Sequence, residues 1–360
     1  MAMMDWRRLI SAKRLGMEAC RGEENVDRSD FLRDYDRLIF SAPFRRLQNK
    51  TQVFPLPGSV FVHNRLTHSL EVACVGRSLG NRVSRLLLEK HPELADSLIG
   101  EIGSIVSAAC LAHDLGNPPF GHSGERAIAA YFAEGKGMML REQLSEEEWN
   151  DIIHFEGNAN AFRLLTHQFN GRRRGGFALT YSTLASIVKY PFSSHYAGGK
   201  PKFGFFQTEA DTFRVIADEL GLIRLSQEGC PLRYCRHPLV YLVEAADDIC
   251  YQMMDIEDAY KLKILTREET IALLTPFIEE HKRGHLAEVL DMVTDTNEQI
   301  AYLRSKVIGI LIDRVSSQYD LHAPSLFGKL QAVFDYISGM TDVFALDLYR
   351  KINGNSLPAV

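Results

Sequence analysis

The sequence predicts an all-α fold in one unit, and three observations lead to this prediction. Over most of the 360 residues, apolar side chains recur at positions i, i+3, i+4 and i+7, which share one face of a helix. Strand-like patterns are scarce, and the best of them, at residues 50–64, has Val and Phe residues on both sides of a Pro-Leu-Pro-Gly turn. Repeats and low-complexity tracts are absent from the sequence. We therefore expect one helical unit over residues 1–360, with a short β-hairpin near residues 50–63.

Composition narrows the class of protein. Hydrophobic residues make up 46% of the chain and charged residues 24%, as in a globular protein. An apolar run of about 18 residues is absent, and the first residues lack the apolar segment of a secretory signal, so we expect neither a membrane span nor secretion. The net charge of −5 does not favour a protein dedicated to nucleic acid. The six cysteines are scattered, which indicates a reducing compartment and predicts a cytoplasmic protein.

The helices follow in order along the chain. Residues 29–47 form a basic helical stretch. Residues 65–90 have the pattern of a long amphipathic helix, with His68 among its apolar side chains. In residues 101–114 the apolar positions recur with helical spacing, which places His113 on the buried face. Further helical segments are predicted at residues 125–135, 137–169, 181–190, 212–222, 236–264 and, as several helices, 267–353.

Polar residues are concentrated in one short stretch, LAHDLGNPPFGHSGE at residues 111–125. It follows an apolar helix directly and places five polar side chains among glycines and prolines: His113, Asp114, Asn117, His122 and Glu125. A packed core does not require this composition, whereas a metal or catalytic site does. The stretch is therefore the first candidate for a functional site.

Four ionisable residues are candidate metal ligands because each lies in an otherwise apolar helix: His68, His113, Asp114 and Asp247. A buried carboxylate requires a partner, since an unpaired buried charge is costly. A single buried histidine is more often a hydrogen-bonded core residue, and this alternative stays open for His68. Together, imidazole and carboxylate donors suit one divalent ion of Mn, Mg, Co, Ni or Fe. Four such ligands leave positions for water and a phosphate oxygen, as Lewis-acid hydrolysis requires.

The end of the same stretch has a functional and a structural interpretation. His122 and Glu125 are three residues apart, and a carboxylate can orient an imidazole that acts as a general acid or base. Alternatively, they are the polar start of a helix, where Glu is favourable in any case. His154, in the segment HFEGNAN, is ambiguous in the same way.

Two other groups also have both a functional and a structural interpretation. Asp247, Tyr251 and Asp255 share one helix face, which suits metal or sugar-hydroxyl binding but also a solvated acidic stripe. Several basic residues either bind phosphate or are simply solvated: Arg65, Lys189, Lys200 and Lys202. Walker and Rossmann phosphate loops are absent from the sequence, so kinase, P-loop and dinucleotide-binding functions have no support.

Five motifs occur in order along the chain: NRLTHSLEV, AHDLGNPPFGHSGE, HFEGNANAFR, KPKFGFFQTE and EAADDICYQMMDIEDA. Together they resemble the bacterial deoxyguanosine triphosphate triphosphohydrolases, which belong to the HD-domain superfamily and are relatives of the vertebrate SAM-and-HD-domain dNTPase. FRRLQNKTQVFPL upstream and DYISGMTDVFALDLYRKI near the end fit the same family, so the resemblance covers nearly the whole chain. It implies an HD-domain helical core at about residues 60–260 and a helical C-terminal extension at about residues 265–360.

The resemblance also implies an activity and a role for individual residues. Such enzymes hydrolyse a dNTP at the α-phosphorus, releasing a deoxynucleoside and intact triphosphate. The family's metal ligands fall on His68, His113, Asp114 and Asp247. Asp247 is preferred to Asp248 because Tyr251 and Asp255 match the family's spacing only from position 247. The catalytic histidine and its acidic partner fall on His122 and Glu125, with His154 as a nearby third group.

Substrate contacts follow from the same resemblance. Matching positions imply that the substrate contacts Gln52, Val53, Arg65, Asn117, Tyr251, Asp255, Lys189, Lys200 and Lys202. Among them, Gln52, Val53, Tyr251 and Asp255 would hold the 3′-hydroxyl of the sugar and leave no room for a 2′-hydroxyl. Residues 171–202 look shorter than in the longest bacterial members, which leaves the base pocket and any site for single-stranded DNA undefined.

The family implies dGTP as the favoured substrate, one divalent metal ion per subunit and a homo-oligomer such as a tetramer or hexamer. A nucleotide or single-stranded DNA is the effector it suggests. Two other functions remain as alternatives: an HD-type nucleotide phosphohydrolase of other specificity (a 5′-monophosphatase or a phosphodiesterase), and a non-catalytic sensor that binds dNTPs. A nucleic-acid-binding module would have only the run Arg172–Arg174 in its favour, which is more simply a solvated loop.

Overall fold

The computed structural model describes residues 4–19, 28–52, 62–171, 174–196 and 202–318, which are mostly helical. They contain fourteen α-helices: α1 (Trp6–Leu9), α2 (Asp30–Ile39), α3 (Ala42–Arg46), α4 (Arg65–Lys90), α5 (Ile102–Ala112), α6 (His122–Ala133), α7 (Glu146–Ile153), α8 (Gly157–Thr166), α9 (Tyr181–Ile187), α10 (Ala210–Leu220), α11 (Val240–Lys261), α12 (Arg267–Leu274), α13 (Arg283–Met292) and α14 (Thr296–Gln318). Short 3₁₀ helices join several of them, and the β-structure in these ranges consists of isolated bridges. The all-α prediction is therefore confirmed.

The predicted hairpin near residues 50–63 falls mostly outside the described residues, which stop at Gln52 and resume at Val62. Thr51 and Asn64, on either side of that interval, form an antiparallel β-bridge. The hairpin therefore stays a prediction, and the contacts expected of Val53 fall outside the described residues.

The chain divides into two compact units. Among the described residues, the first unit lies within residues 4–52 and 64–244, and the second comprises residues 62–63 and 245–318. The division falls inside α11, so one continuous helix belongs to both units. A single functional unit with an HD core and a C-terminal extension stays a prediction.

The antiparallel helices α4 and α5 form the core of the first unit, and α2 and α9 pack against α5. Every residue of α5 except Ser104 is buried, as its apolar sequence leads one to expect. Two glycines let the backbones approach closely, because a Cβ on Gly80 would lie 2.8 Å from the Cα of Gly103. Further along the pair, the Ser107 hydroxyl donates a hydrogen bond to the carbonyl of Ala73, 3.0 Å away. This packing brings the start of α4 beside the end of α5.

A buried ion pair ties the N-terminal segment to the core of the first unit. Arg14 Nη1 lies 2.7 Å from Asp34 Oδ1, and the Asp34 side chain is fully buried. The other carboxylate oxygen of Asp34 accepts hydrogen bonds from the backbone N–H of Thr180 at 2.9 Å and from its hydroxyl at 2.6 Å. Arg14 also donates to the carbonyl of Ala178 at 2.7 Å. The cluster joins the N-terminal segment, α2 and the start of α9 through one buried carboxylate.

The second unit consists, in its described part, of α12 to α14 and most of α11. The carboxylate of Glu257 on α11 pairs with Arg304 of α14 and with Lys261 one turn further on. The hydroxyl of Tyr260 is 3.0 Å from that of Thr296, at the start of α14. None of the described helices is both long enough and apolar enough to cross a membrane.

Candidate active site

The chain turns directly after α5, and this turn carries His113 and Asp114. His113 Nδ1 lies 2.6 Å from the carbonyl oxygen of Cys110. Because a carbonyl can only accept, Nδ1 carries the proton, and Nε2 of the neutral ring carries the lone pair. His113 Nε2 is 3.6 Å from Asp114 Oδ1. The turn therefore presents an imidazole nitrogen and a carboxylate oxygen side by side.

His68 completes a group of three potential metal ligands. It lies in the first turn of α4, is fully buried, and has its ring centroid 5.4 Å from that of His113. One donor atom from each of His68, His113 and Asp114 lies within 4.8 Å of the other two. Two imidazoles and one carboxylate suit a borderline or hard divalent ion, so these residues fit the expected metal. The fourth predicted ligand, Asp247, lies on α11 in the second unit, and its role stays a prediction.

Two side chains hold the carboxylate of Asp114 in place. Arg65 Nη1 donates to Asp114 Oδ2 at 2.6 Å, and Asn117 Nδ2 donates to Oδ1 at 2.5 Å. Arg65 is itself buried, and its Nε has no hydrogen-bond partner among the described residues. A buried guanidinium that has one N–H without a partner can donate a hydrogen bond from it to an anionic oxygen. Lys50 Nζ donates to the backbone carbonyl of Asn117 at 2.5 Å and so fixes the loop from the other side.

The loop between the metal-binding turn and α6 has two residues with left-handed backbone. Phe120 has a φ of 63° although it is not glycine, and its side chain is exposed. Gly121 has a φ of 53°, and a Cβ there would lie 2.7 Å from Arg65 Nη2. Glycine is therefore needed at position 121 for the backbone angle and for the space that the guanidinium occupies.

His122 is the first residue of α6, and its ring is bound to Glu125 one turn later. His122 Nδ1 lies 2.6 Å from Glu125 Oε2. Glu125 Oε1 accepts a hydrogen bond from the backbone N–H of Gly157, 2.8 Å away at the start of α8. The His122 side chain is 70% exposed, whereas Glu125 is only 8% exposed. The carboxylate thus fixes one edge of the ring and leaves the other edge accessible.

Lys202 lies against the same carboxylate. Its Nζ is 3.8 Å from Glu125 Oε2 and 2.7 Å from Oε1 of Glu156, which caps the N-terminus of α8. Burial lowers the pKa of Lys202, but the hydrogen bond to Glu156 and the charges of Glu156 and Glu125 outweigh burial and raise it. Lys202 is therefore a cation between two carboxylates. The other predicted phosphate contact in this segment, Lys200, lies outside the described residues.

Lys189 has a different environment. Its Nζ is 2.8 Å from Glu244 Oε1, and Arg236 Nη1 is 3.0 Å from Oε2 of the same carboxylate. The Arg236 guanidinium also lies over the ring of Tyr190, 5.6 Å from its centroid. His154, the third predicted catalytic group, is exposed, and its Nδ1 is 3.0 Å from the carbonyl of Asn150 in α7.

Tyr251 and Asp255, on one face of α11, both have raised pKa values. Burial above all, together with the charge of Asp258, raises the pKa of Asp255 to about 7 against the opposing hydrogen bond from Tyr251 and the charge of His63. Partial burial and the charge of Asp255 raise the pKa of Tyr251 to about 12. His63 Nδ1 is 2.7 Å from Asp258 Oδ1. A phenol and a carboxyl that is half protonated near neutral pH can both hydrogen-bond a neutral hydroxyl group.

Three site residues did not emerge from the sequence as functional candidates: Glu156, Gly157 and Arg236. Glu156 caps α8, and its pairing with Lys202 depends on a contact between segments 46 residues apart. Gln52, which was predicted, has its Oε1 buried without a hydrogen-bond partner among the described residues. Its expected contact with a sugar stays a prediction.

Residues 65–189 match the HD domain, and residues 300–351 match the phosphohydrolase-associated domain. The HD match spans His68, His113, Asp114, His122 and Glu125.

Relatives in three bacteria match most of the chain. A deoxyguanosinetriphosphate triphosphohydrolase-like protein of Pseudomonas aeruginosa is 44% identical over 340 residues, which are 91% of this chain and 74% of the relative. A protein of the same description from Synechocystis is 41% identical over 337 residues, 90% of this chain and 73% of the relative. A deoxyguanosinetriphosphate triphosphohydrolase of Salmonella paratyphi A is 32% identical over 395 residues, 98% of this chain and 76% of the relative.

Proposed function

The chain belongs to the deoxyguanosinetriphosphate triphosphohydrolase-like family of HD-domain proteins, and from this premise we propose that it is a dNTP triphosphohydrolase. The proposed reaction is attack of water on the α-phosphorus of a dNTP, dGTP first among them, to give a deoxynucleoside and inorganic triphosphate. The observation that carries the proposal is the hydrogen-bonded pair of His122 and Glu125, one loop after the group of His68, His113 and Asp114.

One divalent metal ion would be held by His68, His113 and Asp114, and we propose Asp247 as the fourth ligand. When bound, such an ion supplies Lewis-acid polarisation of a phosphoryl oxygen and lowers the pKa of a coordinated water. The hydrogen bond from His113 Nδ1 to the carbonyl of Cys110 orients the ring and keeps Nε2 unprotonated. Arg65 and Asn117 orient the carboxylate of Asp114 in the same manner.

The leaving group of this reaction is the 5′-oxygen of the deoxynucleoside, which requires a proton as its bond to phosphorus breaks. His122 can supply that proton from Nε2, because Glu125 binds Nδ1 and stabilises the protonated ring. The buried position of Glu125 and its hydrogen bond from Gly157 hold the carboxylate, so the ring does not need to reorient during the reaction. We propose His154 as a third catalytic group beside this pair.

The triphosphate requires neutralisation, and the sugar requires recognition. Arg65 would contact phosphate through its buried guanidinium, and Lys189 and Lys200 would contribute positive charge. Gln52, Val53, Tyr251 and Asp255 would hold the 3′-hydroxyl and exclude a 2′-hydroxyl. We further propose a homo-oligomer, a tetramer or hexamer, with a nucleotide or single-stranded DNA as effector.

Product analysis tests the proposed function directly. The protein is incubated with each of the four dNTPs and with Mn²⁺, Mg²⁺, Co²⁺, Ni²⁺ or Fe²⁺, and the products are separated by ion-exchange chromatography. We expect a deoxynucleoside and inorganic triphosphate, most rapidly from dGTP, and no turnover in the presence of EDTA. Orthophosphate or a monophosphate as the product would instead identify an HD phosphohydrolase of another specificity. A rise in melting temperature with dNTPs but no product under any metal would identify a sensor.

A further inference from the structure

Lys202 lies between two carboxylates, of which one belongs to the proposed catalytic pair. We propose that Lys202 is a positioning residue that holds Glu125 in place beneath His122, and that it is not a ligand of the triphosphate. This inference rests on the proposed function, because it assigns Lys202 a role in the proton transfer by His122. It goes beyond that function, since it predicts a dependence of kcat on a side chain that does not touch the substrate.

The two carboxylates are buried and close to a common cation. Glu125 is 8% exposed and Glu156 only 1% exposed, and each lies within 4 Å of Lys202 Nζ. Burying a carboxylate is costly unless a counter-ion and hydrogen-bond donors replace water. Backbone N–H groups supply part of this: Gly157 donates to Glu125, and Asn158 donates to Glu156 at 2.7 Å. Lys202 supplies the positive charge.

The charges of the cluster balance only when Lys202 is present. Glu125, Glu156 and Lys202 together carry one negative charge, which one imidazolium at His122 can neutralise. Without the lysine, two buried carboxylates would lie close together without a cation, and such a pair tends to take up a proton rather than remain doubly charged. If the proton goes to Glu125, the ring of His122 loses the charge that stabilises its protonated form. Lys202 thus acts on His122 through Glu125.

The backbone that follows Lys202 is packed into the core of the first unit. The neighbouring side chains of Phe203 and Phe205 are fully buried. Between them, the N–H of Gly204 donates to the carbonyl of Phe192 at 3.1 Å, and a Cβ on Gly204 would lie 2.1 Å from the carbonyl oxygen of Tyr190. Lys202 is therefore anchored, on its C-terminal side, by residues of the core.

Lys189, in the same unit, differs from Lys202 in the way its carboxylate partner is neutralised. Its partner Glu244 is also bound by Arg236, so Lys189 can turn toward an anion without leaving that carboxylate uncompensated. Lys202 has no such substitute among the described residues around Glu156, where the remaining hydrogen-bond donors are neutral. Moving Lys202 to a phosphate would leave a fully buried carboxylate without a cation, which disfavours that role.

Steady-state kinetics with dGTP and Mn²⁺ separate the two roles. In Lys202→Met we expect kcat to fall by about tenfold to a hundredfold with KM changed by less than about twofold, because an acid–base contribution is lost and ground-state binding is not. Lys202→Arg should recover most of the kcat. The double variant Glu156→Gln/Lys202→Met removes the second carboxylate as well, and it should have a higher kcat than Lys202→Met alone. A raised KM with unchanged kcat in Lys202→Met, and no recovery in the double variant, would show that Lys202 binds phosphate.

A spectroscopic measurement tests the same inference without turnover. The ring ¹⁵N shifts of His122, assigned with the help of His122→Ala, report the Nδ1–H group that is hydrogen-bonded to Glu125. With Mg²⁺ present, these shifts should change in Lys202→Met and be restored in Lys202→Arg. Lys13→Met is the matched control, since Lys13 pairs with Glu219 at 2.9 Å and has a similar exposure. Unchanged His122 shifts in Lys202→Met would overturn the inference, whether or not the protein hydrolyses any dNTP.

Discussion

At the scale of single residues, His122 and Glu125 divide the work of a proton donor between an exposed and a buried group. The imidazole reaches the surface, where a substrate oxygen can approach Nε2, while the carboxylate is held from below by Gly157. A structural hydrogen bond would not require one partner to remain largely exposed. The pair is therefore better suited to proton transfer than to stabilising the start of α6.

The first prediction concerns His122 alone. Replacing it with alanine should lower kcat by about a hundredfold to ten-thousandfold, because general-acid assistance to the leaving group is lost. The metal content, measured by inductively coupled plasma mass spectrometry, should equal that of the wild type, since His122 is outside the group of His68, His113 and Asp114. Wild-type turnover in this variant would remove His122 from the mechanism.

The second prediction distinguishes two adjacent aspartates on α11. Asp247→Asn should lower the metal content per subunit, whereas Asp248→Asn should leave it close to the wild-type value, because only one of two successive helix positions can share a face with Tyr251 and Asp255. Metal content is measured after dialysis against limiting Mn²⁺. The opposite pattern would shift the ligand assignment by one residue.

At the scale of elements, the start of α8 supports both halves of the site. Gly157 donates to Glu125, and Asn160 Nδ2 donates to the carbonyl of Gly116 in the loop after α5 at 2.8 Å. A Cβ on Gly116 would lie 2.0 Å from the carbonyl oxygen of Gly157. The absence of side chains at these two positions lets the helix and the loop meet backbone to backbone.

The third prediction follows from this contact. A Cβ at position 157 would lie 2.3 Å from Asn117 Oδ1 and 2.8 Å from Glu125 Oε1, so Gly157→Ala should displace the side chains that hold Asp114 and His122. We expect kcat to fall by about tenfold or more, since small misplacements of catalytic groups have effects of about a hundredfold. The control is Gly309→Ala in α14, where a Cβ meets nothing within 4 Å and activity should be unchanged. Equal kcat values in the two variants would contradict the prediction.

The fourth prediction concerns Asp151, which ties α7 to two distant segments. It accepts hydrogen bonds from the Ser194 hydroxyl at 2.6 Å and from the backbone N–H of Gln207 at 2.7 Å. Burial raises its pKa to about 6, so the folded protein holds a proton there more readily than the unfolded chain. This contribution to stability is therefore complete below about pH 4 and is lost as the pH rises through 6.

Urea denaturation at two pH values measures this effect. Between pH 7 and pH 5, the free energy of unfolding of the wild type should rise by about 1 kcal/mol relative to that of Asp151→Asn, which cannot titrate. The comparison removes the pH dependence of all other groups. Parallel changes in the two proteins would show that Asp151 has an ordinary pKa.

At the scale of the whole molecule, the fifth prediction concerns the ion pair of Arg14 and Asp34. Arg14→Met should lower the free energy of unfolding by about 3–5 kcal/mol, because it leaves a fully buried carboxylate without its cation. Arg14→Met/Asp34→Asn should recover part of this loss, since the uncompensated charge is gone. Chemical denaturation of both variants measures the difference. A double variant less stable than the single one would mean that hydrogen bonds of Asp34 to Thr180 dominate.

Local patterns in the sequence predicted the helices that form the core. The helix expected at residues 65–90 is α4, and the one expected at residues 101–114 is α5 with the following turn. Both contain enough apolar residues with regular spacing to define a buried face. The same periodicity predicts a mostly helical segment at residues 137–169, whereas the structure breaks this segment between α7 and α8. The break allows Glu156 to cap α8 and meet Lys202.

The site was predictable only as far as its residues are close in sequence. His113, Asp114, His122 and Glu125 lie within thirteen residues, so their spacing alone suggested a common site. The roles of Lys202 and Gly157 depend on contacts between segments that are far apart along the chain. No periodicity records such contacts, because they arise from tertiary packing. The ion pairs of Lys189 and Arg236 with Glu244 belong to the same class.

The close contact between Gly157 and the loop after α5 helps to distinguish active from inactive members among natural sequences with this fold. A sequence that keeps the two histidines and the aspartate of the metal group would be judged an intact enzyme from its ligands alone. If it carries a larger residue than glycine at the position corresponding to 157, we expect it to load metal normally and yet turn over slowly. Such a sequence would be a natural source of metal-binding proteins that have exchanged catalysis for a purely binding role.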